Sequence, residues 1–194
     1  MKIELSPPRA TTDSPTFAGA LLRCYVATLL VGAPLAALLL TPGLMRSRVA
    51  LVPGITSFGV TAFLVLSFLL IAVAPRLSAR VAPGAGWRPG LVRKVGPALR
   101  RELPRQWWGR AGEALLIFVA SQLAGGFISW MMPYIWADPA STDDHVAWVL
   151  HYPNYATQAV SMFLVICLAA AWFGTRLRQL ALGIDFVDNG QPVS

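Results

Sequence analysis

The chain has 194 residues, 56% of them hydrophobic against 13% charged, and a mean hydropathy of +0.58. That balance excludes a soluble domain of ordinary composition and points to a membrane protein. Sixteen Lys and Arg against nine Asp and Glu give a formal net charge of +7, a surplus that would suit nucleic acid; its placement along the chain accounts for it without one.

Residues 1–16, with Pro7, Pro8 and Pro15, read as a mobile cytoplasmic tail. Beyond them lie four apolar stretches, Leu21–Leu40, Ser57–Ala74, Ala114–Trp136 and Ala156–Thr175, each 18 to 23 residues long. About 20 apolar residues at 1.5 Å rise cross ~30 Å of hydrocarbon. The expected fold is therefore all-α, a polytopic membrane protein of four transmembrane helices. The first stretch has no small-residue cleavage site behind it and reads as an uncleaved anchor. Gly32-Ala33-Pro34 near its middle predicts a kink, tolerated by packing or else used as a hinge.

Pro42-Gly43 and Pro53-Gly54 bracket a short connection to the second stretch, making a helical hairpin. The loop that follows holds nine of the sixteen basic residues, from Arg76 to Arg110. An amphipathic helix over Leu91–Leu103 is predicted there, pressed onto anionic lipid headgroups through Arg93, Lys94, Arg100, Arg101 and Arg105. Trp107 and Trp108 mark the membrane boundary before the third stretch.

In that third stretch Ser121, Gly125 and Ser129 recur every four residues, a small-residue face that lets another helix approach closely. The outer loop 137–155 is acidic, and Ser141 with Asp144 resembles a capping box. After the fourth stretch, Gln179–Ile184 reads as a remnant of helix, and the tail from Asp185 as disordered. Cys24 and Cys167 differ in expected depth by roughly 8–10 Å and read as free thiols.

Charge sets the orientation. Fourteen basic residues fall on one side of the four stretches and only Arg46 and Arg48 on the other, so both termini are expected in the cytoplasm. The organisation is then a tail (1–16), a first hairpin (17–74), a basic loop (75–112), a second hairpin (113–178) and a C-terminal tail (179–194). A composition rich in Ala, Arg, Gly and Pro reads as bacterial, which would place the protein in the inner membrane.

Chemistry is sparse. His145, His151, Asp143 and Asp144 on the outer loop are the weak candidates for a metal, but histidines six apart do not share a helical face. No hydrolase, zincin or P-loop motif occurs, so no cofactor and no catalytic residue is expected. The stretches also lack the midplane ionisable groups of proton-driven transporters. The leading expectation is a non-catalytic accessory subunit that binds another membrane protein or a second copy of itself, with bulky replacement at Gly125 dissociating the assembly. The alternatives are an oligomeric exporter or channel lined by Gln122 and Gln158, and a membrane enzyme with a metal on the outer loop.

Overall fold

The computed structural model describes residues 16–84, 87, 89–90, 92–93, 104–137 and 149–188, without the side chains of 104–107, 137, 149 and 179–188. It is an all-α membrane protein. Among the described residues three helices are long and apolar enough to cross a bilayer, and a bent pair has the length and composition for a fourth crossing.

The bent pair comes first. Helix α1 (Phe17–Val31) opens on Thr16, whose hydroxyl accepts the Gly19 N–H at 3.2 Å, a side-chain N-cap. It stops at Gly32, and α2 (Ala33–Leu39) leaves at 57°. Pro34 is thus not a wedge inside one helix. It sits in the first turn of a new one, where its missing N–H costs no helical bond. Gly32 lies at the break because α6 passes close by: a Cβ there would come within 2.9 Å of the Phe163 ring.

A four-residue helix α3 (Pro42–Met45) and a 3-10 turn at Ser47–Val49 lead to Gly54, which at φ +80° is the positive-φ glycine among the described residues. Helix α4 (Ile55–Val81) begins there. It does not end at Ala74 as expected but runs through Pro75. Ile71, Ala74, Leu77, Ser78 and Ala79 are all buried, so packing on neighbouring helices outweighs the one bond that proline forfeits. Helix α5 (Pro104–Met131) likewise starts earlier than expected, and takes Trp107 and Trp108 into its first turns. It ends two residues before Pro133.

A two-residue antiparallel ladder, β1 (Trp136–Ala137) with β2 (Val149–Leu150), closes the connection to α6 (Tyr152–Asp188). The last helix continues past Arg178, through the expected remnant at Gln179–Ile184, and reaches Asp188, four residues into the region read as a disordered tail. Of the predicted 91–103 helix, Val92 and Arg93 are helical and the rest lies outside the described residues, as do Ser141 and Asp144.

Helix α6 is the centre, in contact with α1, α2, α4 and α5. Its Ala159, Ile166, Cys167, Ala170 and Phe173 join Leu35, Leu38, Phe63, Leu70 and Ile71 in the core. The bent pair runs the length of this helix. Cys24 Sγ reaches Ala74 O at 3.9 Å beside Gly174, and the Leu39 carbonyl accepts from the Tyr155 hydroxyl at 2.5 Å. Tyr155 and Gly174 are nineteen residues apart, or about 28 Å at 1.5 Å per residue. The pair is therefore one broken span rather than a loop that enters and leaves on one side.

Tyr155 satisfies one of the last carbonyls of α2, and Tyr152 donates to the next, Leu40 O, at 3.2 Å. Tyr155 is 3% exposed, whereas Tyr152 is open. Tyr155→Phe leaves a buried carbonyl without a donor and is expected to cost about 1–3 kcal/mol. Tyr152→Phe is expected to cost less than half as much, and thermal unfolding of the two variants in detergent checks the order.

Candidate functional site

Among the described residues the core cluster is apolar, and the ion pairs lie at one end of the bundle. One end carries Arg23, Arg76, Arg80, Arg110 and Arg176, and is here called the basic end. Three helices meet there. The Cys24 thiol of α1 donates to Ala74 O of α4, and Gly174 of α6 lies against the same residue. A Cβ on Gly174 would stand 2.6 Å from Ala74 O, so only glycine permits this crossing. One turn away the single Thr28 hydroxyl proton is shared between Tyr25 O at 2.8 Å and Cys167 O at 3.2 Å, while the Cys167 thiol donates back to Thr28 O at 3.6 Å. These bonds clip α1 to α6 and occupy both cysteines, which are free thiols.

Glu113 of α5 is the one carboxylate among the described side chains. Arg110 Nη1 donates to its Oε2 at 2.7 Å, and Arg176 Nε of α6 lies 2.7 Å from Oε1, an ion pair set off the hydrogen-bonding direction. Arg176 also stacks over Trp172 at 5.0 Å. Two cations thus share one anion, and the cluster ties α5 to α6 with a net positive charge.

Four polar side-chain atoms at or near this end are buried without a hydrogen-bond partner among the described residues: Glu113 Oε1, which the Arg176 ion pair meets, and the donors Ser78 Oγ, Trp87 Nε1 and Arg178 Nη1. Arg178 is 5% exposed, Trp87 1% and Ser78 fully covered. Ser67, Thr61 and Thr175 each turn the hydroxyl back onto the carbonyl four residues earlier. Ser78 does not, and its oxygen approaches the Cys24 thiol without meeting hydrogen-bond geometry.

At the opposite end Arg46 and Arg48 lie over the rings of Tyr155 and Trp136, at 5.9 and 5.5 Å. His151 caps α6: its Nδ1 accepts the Asn154 backbone N–H at 3.4 Å, and the His151 backbone N–H donates to Ile135 O at 2.8 Å. The signal in sequence was Pro153, a first-turn proline two residues later. His145, Asp143 and Asp144 lie outside the described residues, among which no group of three metal-ligating side chains occurs.

Of the small-residue face, Ser121 and Gly125 are buried and Ser129 is half-buried. Gly125 looks onto α6 of the same chain: a Cβ there would be 3.0 Å from Met162 Cγ. Bulky replacement at Gly125 therefore probes internal packing. Gln122 lies 3.5 Å from the Ser121 hydroxyl, and Gln158 donates to Pro133 O at 3.1 Å, which caps the stretch after α5. Arg93 is exposed; Lys94, Arg100 and Arg101 fall outside the described residues, as does the side chain of Arg105. The buried trio of donors was not anticipated. Its signal was Arg178 standing four residues after Gly174, in register with Ala170, Ala171 and Gly174.

No protein-family model, no curated protein and no solved structure matches this chain.

Proposed function

We propose that this protein is a non-catalytic integral subunit of a bacterial inner membrane, with both termini in the cytoplasm, and that it binds a partner membrane protein through α5. One observation carries the reading. Within the apolar windows of the three long helices, 33% of α4 and 39% of α6 is buried inside the chain, but only 11% of α5. Helix α5 packs on α6 along one side and presents Leu116, Leu123 and Phe127 on the other, interleaved with the open Gly112, Ala120 and Gly126. Small residues between large ones allow close approach of a second helix, where packing replaces the hydrophobic drive that lipid removes.

The channel reading loses support from Gln158, whose amide is engaged within the chain. A photocrosslinker placed at Leu116 or Leu123 in native membranes is expected to give one discrete protein adduct, and one at Leu64 on α4 only lipid. Ala120→Trp is expected to abolish the α5 adduct. Lipid adducts alone from α5 would sink the proposal, and an adduct only with copies of this chain would move it to a self-assembling exporter.

A further inference from the structure

We infer that the basic end binds a phosphate oxyanion, held by Arg178 and Ser78. Register places the two residues at the same level of the bundle. Helices α4 and α6 both run toward the basic end, and touch where Gly174 meets Ala74. One turn further along each lie Ser78 and Arg178, on the faces that Ala74 and Gly174 present to one another. On α1, which runs the other way, Cys24 marks the same crossing and Ala20 stands one turn below it, 1% exposed. An alanine at that position leaves the third side of the junction without a bulky side chain.

The chemistry of the unmet groups names the ligand class. A guanidinium N–H and an indole N–H can only donate, and the Ser78 hydroxyl, free of its usual backbone acceptor, can donate as well. Burying such groups unpaired costs free energy, most of all for the cation, so an acceptor-only group bearing negative charge is the complement. The chain does not supply one among its described side chains, since Glu113 is held by Arg110 and Arg176. Five further arginines at this end add a field that draws anions in. A phosphate fits the donors and the sign. It comes either from an anionic lipid headgroup, to be expected at the depth where a span ends, or from solution.

The test uses the full-length chain in neutral detergent, stripped of lipid, with unfolding followed by tryptophan fluorescence. Phosphatidylglycerol and inorganic phosphate are added separately, against phosphatidylcholine and chloride at matched ionic strength. At roughly a hundredfold excess over Kd the midpoint is expected to rise by about 5–10 °C. A rise with phosphatidylglycerol alone identifies a headgroup site, and a rise with inorganic phosphate as well identifies a free-anion site. Arg178→Lys, which keeps the charge and loses the fork, and Ser78→Ala are each expected to remove most of the rise. Ser78→Ala decides the matter if Arg178→Lys does not accumulate. No rise with either anion, or an undiminished rise in the variants, overturns the proposal, the latter by assigning binding to the exposed arginines.

Discussion

Gly174→Val is expected to lower the unfolding midpoint in detergent by 10 °C or more, or to prevent accumulation of the protein, corresponding to at least ~3 kcal/mol. The obstacle at this position is main chain. The first added carbon would meet Ala74 O at 2.6 Å and the Ala74 carbonyl carbon at 2.8 Å, and a backbone inside α4 cannot rotate away as a side-chain tip can. Valine adds two further carbons. The helices would have to part, and the Cys24 thiol would lose its acceptor on the same carbonyl. Gly126→Val is the matched control, because its Cβ would meet nothing within 4 Å. Equal midpoints for the two variants would show that the crossing is looser than described.

Gly59→Ala is the second large effect, and it should be local. A single methyl group there would overlap the Leu44 carbonyl oxygen and stand 2.8 Å from its carbon. Helix α3 is four residues long and has few other anchors, so it is expected to lift from α4 at a cost of roughly 2–3 kcal/mol. The measurement is limited proteolysis between α3 and α4, where Leu51 is 97% exposed. Cleavage there should accelerate severalfold while the midpoint of α6 unfolding moves less than in Gly174→Val. Unchanged cleavage would mean that α3 shifts as a unit and stays docked.

The contrast between these glycines and the helices they sit in shows what a sequence displays. Hydropathy revealed the spans because each must satisfy the bilayer by itself, residue by residue. Their ends were harder to read. Pro75 is a stop signal locally and is overruled by neighbours that only the folded chain brings together, while Pro104 starts a helix that its basic surroundings had concealed. The Gly32-Ala33-Pro34 break was visible, but its 57° was not, since the break lies against Phe163, which only the folded chain brings there. Gly174 and Gly59 look like any other glycine until the opposing backbone is known. The ion cluster was half legible: Glu113 beside Arg110 follows from helical spacing, and Arg176 at the same level follows from counting rise along the antiparallel helix. Arg178 was hidden among the arginines that fix topology, because burial, not residue type, sets it apart.

Helix α6 is both the surface on which the others pack and the last of the described helices to leave the ribosome. The clip between Thr28 and Cys167 joins residues 139 apart, so the first span waits through most of synthesis for its partner. Until Tyr152–Asp188 is inserted, the buried faces of α1, α4 and α5 have only lipid or one another to lie against. Packing of the core therefore cannot be completed before the final helix is in place. A stop codon between residues 132 and 152 would leave the earlier spans with no common scaffold to join.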